Sequence, residues 1–145
     1  MNRPATLLVL LLAGLLAGCG GGSRPTGIRA AETPADDVAE YQPRWRSHTV
    51  DSTQYRKVFL AGTIDMGRSA DWQAALVARF RDSIGGRWLF FNPRRREFHA
   101  SPAEMEYQVA WELAHLEAAD LIVMNLLGDS RSPISLLEMG LYARS

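Results

Sequence analysis

Glu138 is the residue whose type and setting could do chemistry: the stretch from Ala118 to Ala143 runs a strand into a carboxylate-bearing helix, which puts an acid at a cleft. Leu121-Ile122-Val123-Met124-Asn125-Leu126-Leu127 is a short apolar run with β-branched members, the pattern of a strand buried on both faces of a parallel sheet. Gly128-Asp129-Ser130 turns the chain, Ser132 offers an N-cap oxygen, and Pro133 takes the first helical position, where a missing N–H costs nothing. In the helix that follows, Ile134, Leu137 and Leu141 make one apolar stripe, and Glu138 lies about 40° from Ile134 on its edge. Its carboxylate is therefore expected to be half buried.

Other reactive groups are thinner on the ground. The loop Gly62-Thr63-Ile64-Asp65-Met66-Gly67-Arg68-Ser69 has two glycines that let backbone approach a ligand, and a helix N-terminus behind it favours an anion. Its spacing is neither a dinucleotide Gly-x-Gly-x-x-Gly nor a P-loop, and turn glycines would read the same way. Glu112-Leu113-Ala114-His115 is one Glu-x-x-His half of a di-iron bundle without a second copy, and His48 and His99 have no ligand spacing. No Gly-x-Ser-x-Gly elbow occurs, and the single cysteine, Cys19, allows no intrachain disulfide. Neither a metal nor a cofactor is expected.

The elements that must position these groups alternate. Val58-Phe59-Leu60-Ala61 reads as a strand; Trp72, Leu76 and Phe80, with Ala75 and Val77, repeat at helical spacing from a start near Ser69 or Asp71 until Gly85-Gly86. Trp88-Leu89-Phe90-Phe91 is the next strand, closed by Asn92-Pro93. Ser101-Pro102-Ala103-Glu104 is a capping box that opens a helix to about Ala118, expected to turn Met105, Val109, Leu113 and Leu116 inward. The order β-α-β-α-β-α predicts an α/β fold, a small parallel sheet of flavodoxin- or Rossmann-like type with flanking helices and a short C-terminus, its ligand crevice at the carboxyl ends of the strands.

The first third of the chain reads differently. Residues 1–18 have a positive start at Arg3, an apolar stretch from Leu7 to Leu16 and the small-residue site Leu16-Ala17-Gly18-Cys19, a pattern that resembles a bacterial lipoprotein signal. The apolar stretch is short of the roughly 20 residues that span a bilayer. The resemblance implies cleavage before Cys19, lipidation of its thiol and a lipid-anchored place in the bacterial cell envelope. Residues 19–56, headed by Gly20-Gly21-Gly22-Ser23, read as a flexible tether on which Trp45 and Tyr55 could dock. That leaves residues 57–145 as the folded unit, with ten Lys and Arg against eleven Asp and Glu, a net charge of −1 that argues against a nucleic-acid partner. The lone basic run, Arg94-Arg95-Arg96, is more often a solvated turn than a phosphate site.

Taken together and in order, Val58-Phe59-Leu60-Ala61-Gly62-Thr63-Ile64, Asn92-Pro93-Arg94-Arg95, Gln108-Val109-Ala110-Trp111-Glu112, Ala119-Asp120 and Ser132 through Ala143 resemble the nucleoside 2-deoxyribosyltransferase-like family. The wider superfamily includes 2-deoxynucleoside 5-phosphate N-hydrolases, to which Gly62-Thr63-Ile64 and Gly67-Arg68 are similar. The resemblance implies that Glu138, the glutamate of the Glu-x-Gly element, is the nucleophile that traps the anomeric carbon as a glycosyl ester. It implies Glu112 as the acid that protonates the departing base, its proton retained by partial burial near Trp111. Ser132 stands where the hydrolase branch contacts a phosphate, which implies either a phosphorylated sugar or simply a helix cap. Arg68 and Arg94 would add charge to such a phosphate, Asp65 would meet a deoxyribose hydroxyl, and Gly62, Thr63 and Gly67 would line the substrate.

Two departures bear on activity. Phe59 stands near a position where many relatives have a tyrosine that orients the nucleophile, and the chain ends after the helix of Glu138 where relatives continue with a strand. The apolar run Leu121 to Leu127 is then expected to form an open sheet edge, so that either the protein is incomplete or it oligomerises, and a homo-oligomer is predicted for a stable chain. The leading expectation is an N-glycosidic bond enzyme acting on 2-deoxynucleosides or their 5-monophosphates, with transfer to another base or to water. The rival is a non-catalytic, lipid-tethered module that binds a nucleoside or nucleotide without turnover.

Overall fold

The computed structural model describes residues 37–97, 99 and 101–143, together with the backbone of residues 6–10. It holds a six-stranded sheet and three helices. In chain order the strands are β1 (Thr6–Leu10), β2 (Val38–Gln42), β3 (Trp45–Arg46), β4 (Arg56–Gly62), β5 (Trp88–Phe91) and β6 (Leu121–Asn125). The helices are α1 (Trp72–Ser83), α2 (Pro102–Ala118) and α3 (Pro133–Tyr142). Across the sheet the order is β1-β6-β4-β5-β2-β3, parallel throughout except for the short β2–β3 pair.

The central strands are buried on both faces, as their apolar runs require. Phe59, Ala61, Leu89, Phe91, Ile122 and Met124 point to one side, where Leu116 and Trp111 of α2 and Met139 and Tyr142 of α3 cover them. Val58, Leu60, Phe90 and Val123 point to the other, under Val77, Trp72, Leu76 and Phe80 of α1. Phe80 packs edge-on against both Trp88 and Phe90, each with ring centroids 5.0 Å apart. Helix α1 starts at an N-cap Asp71 whose carboxylate accepts from Ala74 N at 3.0 Å, and α2 at Ser101, whose hydroxyl accepts from Glu104 N at 3.2 Å. Asp120 accepts from Lys57 N and donates its own N–H to Lys57 O, both at 2.8 Å, which aligns the amino ends of β4 and β6.

Several expectations change. Residues 37–56 were expected within the tether, yet Val38–Gln42 pairs with β5 along its length and four of its five residues are buried. The segment is short and carries Glu40 inside, so composition hides it; the carboxylate is satisfied there by Asn92 Nδ2 at 2.8 Å. Residues 19–36, Cys19 among them, lie outside the described residues, as do 1–5 and 11–18. The edge of β6 is not open: β1 pairs with it from Thr6↔Leu121 to Leu10↔Asn125.

The helices are also rotated from the expected facing. Met105, Val109 and Leu113 of α2 are 47%, 50% and 45% exposed, and only Leu116 of that expected set is buried. Ile134, Leu137 and Leu141 of α3 are likewise exposed. The faces that meet the sheet carry Trp111, His115 and Leu116 from α2, and Ser135, Met139 and Tyr142 from α3. His115 stacks on Trp111 at 4.0 Å and donates its Nδ1–H to Trp111 O at 2.7 Å. Burial holds its pKa down, so it is a neutral core group.

Candidate functional site

The carboxyl ends of β4, β5 and β6 open on one side into two adjoining cavities. The first, about 260 Å³, is lined by Gly62, Ile64 and Asp65 after β4, Pro93 after β5, Met105, Gln108, Val109 and Glu112 of α2, and Ser132 through Ser135 with Glu138 of α3. The second, about 510 Å³, shares Ile64, Pro93, Met105, Gln108 and Glu112 and adds Met66, Gly67 and Arg94 to Arg96. Strand β4 is the point where the order turns, since α1 leads to β5 on one side of it and α2 returns to β6 on the other.

Glu112 and Glu138 come from different helices and line the same cavity, both half buried. Burial first, and the charge of Glu112 second, push Glu138 up from an ordinary 4.5 to about 7. Glu112 is also raised by burial, against the opposing pull of a hydrogen bond from Gln108 and the charge of Arg95. The carboxyl ends of the two helices are tied by Tyr142 Oη donating to Glu117 Oε1 at 2.9 Å. Burial and Glu117 push that phenol up to about 12, so it stays a donor. Glu138 thus keeps its proton up to near neutrality beside a second carboxyl that burial also raises, an arrangement able to supply an acid and a nucleophile or base together.

A chain of hydroxyl groups fixes the strand ends around this pair. Thr63 Oγ1 accepts from Leu127 N at 3.0 Å and meets Ser132 Oγ at 2.7 Å. Ser132 Oγ in turn meets Ser130 Oγ at 2.9 Å, and Ser130 Oγ donates to Asp65 at 2.9 Å. Ser132 stands at the cap position of α3 with φ +37°, but its hydroxyl faces this network and makes no bond to the helix N–H groups, contrary to the expected N-cap. Asp65, Met66 and Gly67 are three consecutive left-handed residues, with φ of 47°, 53° and 83°. The sparsely populated backbone conformations of non-glycine residues at Asp65, Met66 and Ser132 therefore gather at this site.

The remaining expected substrate contacts divide. Asp65 and Ser132 line the first cavity and Gly67 the second. Gly62 also lines the first, but its small size answers to the sheet: at φ +126°, a Cβ there would sit 2.1 Å from Asn125 O. Thr63 is 1% exposed, lines neither cavity and works as a brace. Arg94 reaches the second cavity, yet its guanidinium donates to Gly67 O at 3.1 Å and Ser69 O at 2.8 Å and pairs with Asp71 at 3.5 Å, clamping the 65–71 loop. Arg68 lines neither cavity; its Nε donates to Asp65 O at 3.2 Å. Among the described residues no three His, Cys, Asp or Glu side chains come together as a metal site.

Sequence reasoning passed over Ser130, Arg95 and the role of Gln108. Ser130 carried no signal beyond its turn. Gln108 stands four residues before Glu112, a spacing that puts the two on one helix face and could have been read.

No curated protein matches this chain. The family model described as nucleoside 2-deoxyribosyltransferase like matches residues 55–145, which take in β4 to α3 and both cavities, and the chain belongs to that family.

Proposed function

We propose that the protein acts on the N-glycosidic bond of 2-deoxynucleosides or their 5-monophosphates, passing the deoxyribosyl group to another base or to water through an ester on Glu138. The observation that carries this reading is the pair Glu112 and Glu138 across one cavity, near enough for the charge of one to hold up the pKa of the other. In the reaction the C–N electron pair leaves with the base, which takes a proton from Glu112, and the carboxylate of Glu138 bonds to the anomeric carbon. Positive charge growing at that carbon favours the ionised form of Glu138, so substrate moves the shared proton toward Glu112. Water or a second base then breaks the ester, with Glu112 as the base. Family membership supports a small nucleoside-type ligand.

A second reading, a nucleoside- or nucleotide-binding module without turnover, is favoured by one feature. Phe59 is wholly buried beside Trp111, and no hydrogen-bond donor among the described residues counters the burial of Glu138. The purified protein and Glu138→Ala, each incubated with deoxynucleosides and their 5-monophosphates, separate the two. Base release by the first and loss of at least about 10³-fold in the second supports the enzyme. Ligand-dependent melting shifts with no base released would leave only the binding module. We further propose anchoring at the cell envelope through lipidated Cys19, which mass spectrometry of the membrane fraction tests: an unmodified, soluble chain starting at Met1 would end that proposal.

A further inference from the structure

We infer that Gln108 is a positioning residue that fixes which carboxyl oxygen of Glu112 is free to meet a substrate. Its side-chain amide has one workable orientation. Gln108 Oε1 accepts from Arg95 Nε, while Nε2 donates one hydrogen to Pro93 O at 2.9 Å and the other to Glu112 Oε1 at 2.6 Å. Turning the amide over would set an N–H against the guanidinium and an oxygen against two acceptors, so all three contacts would fail together.

Arg95 is held in its own right. Its side chain is 7% exposed, Nη1 pairs with Glu104 Oε2, and Nη2 donates to Glu104 O at 3.0 Å. Glu104 is braced by Arg44 at 2.8 Å. The chain of contacts therefore starts at backbone and a buried guanidinium and ends on one oxygen of Glu112. A Gln–Glu pair one helical turn apart is ordinarily a weak surface contact. Here a charged donor on the far side polarises the amide and locks it.

The consequence is asymmetry within one carboxyl group. Oε1 is an acceptor from Gln108 in either protonation state, so a proton on Glu112 belongs on Oε2, which has no hydrogen-bond partner among the described residues. Five other charged or titratable groups face this carboxyl or share its cavities: Glu138 from α3, Asp65 from the loop after β4, and Arg94, Arg95 and Arg96 from the loop after β5. This inference rests on the reading of Glu112 as the acid of an N-glycosidic reaction, but its first test does not need turnover.

The test compares wild type, Gln108→Leu and Gln108→Glu in protein carrying ¹³C at glutamate Cδ, with the Glu112 signal assigned by Glu112→Gln. Removing the donor to the charged form should move the Glu112 titration upward in Gln108→Leu, and farther upward in Gln108→Glu, which replaces the donor with a second acid. In base release the limb of the pH profile due to the acid should move in the same order, with kcat at neutral pH down about tenfold and KM little changed. A merely structural glutamine would lower the melting temperature and leave the Glu112 titration where it was, and that result overturns the inference. Gln108→Glu retains the Arg95 contact, so its titration decides the matter if Gln108→Leu does not fold. Absence of base release from wild type would sink the proposed reaction, while the titration would still judge Gln108.

Discussion

Replacing Glu138 by Gln removes an ionisation that the fold resists, and the effect on stability has a defined sign. In the folded protein burial and Glu112 raise Glu138 from 4.5 to about 7. Between these values the unfolded chain has lost the proton and the folded chain still holds it, so wild-type stability falls as pH rises through that window. Below about 4.5 both states are protonated and the full contribution is present; above about 7 both are ionised and the loss is complete. At about 1.4 kcal/mol per pH unit the gap would amount to roughly 3 kcal/mol, which partial exposure at the cavity mouth reduces to about 2 kcal/mol. Urea unfolding of wild type and Glu138→Gln from pH 4 to 8 measures the difference directly. The variant should match wild type within about 0.5 kcal/mol at pH 4 and exceed it by about 2 kcal/mol at pH 8. In a Glu112→Gln background the crossover should move to lower pH, because one like charge has gone. A difference that does not depend on pH, or a variant that weakens with rising pH relative to wild type, would refute the placement of the two carboxyl groups in one desolvated cavity.

Gly62→Ala should cost more than about 3 kcal/mol, read as a fall in melting temperature, because the added methyl meets Asn125 O and the backbone is left-handed. Thr63→Val keeps the shape but leaves Leu127 N and Ser132 Oγ short of a partner, so a loss of about 2 kcal/mol in urea unfolding is expected. The exposed apolar residues Val109 and Leu113 on α2, and Leu137 and Leu141 on α3, predict self-association with a second copy of the chain. Wild type should sediment as a dimer or larger at micromolar concentration and Leu137→Glu/Leu141→Glu as a smaller species; a monomeric wild type would end the oligomer reading.

What could be read in advance was the existence and order of the central strands and of the three helices. The runs Val58 to Ala61, Trp88 to Phe91 and Leu121 to Leu127 are apolar enough to be strands in any setting, the last ending at Asn125, and α1 and α2 start at Asp71, one of the two expected positions, and at Ser101. The facing of α2 and α3 was misread because Trp111, His115 and Tyr142 are amphipathic. The pattern Met105, Val109, Leu113 looked like the better inner face, whereas it is the rings of Trp111 and His115 that pack against Phe59 and Phe91. Strand β2 escaped because a buried Glu40 breaks its pattern and its compensation by Asn92 lies 52 residues away. The site was half legible for the same reason. Glu138 and Glu112 declare themselves by local context and family likeness, but that Thr63 braces and Arg94 clamps depends on loops brought together from three strands.

The strand that flanks β6 comes from the apolar run near the amino terminus, the run whose removal is part of the anchoring proposed above. One stretch of chain cannot satisfy both fates. Under that proposal a docked Thr6–Leu10 would leave the export machinery no free leader to grasp, and cleavage would leave five residues of β6 with an unzipped flank. Secretion would therefore have to outrun folding, and the mature molecule would need a substitute strand, making its assembly state a product of its biogenesis.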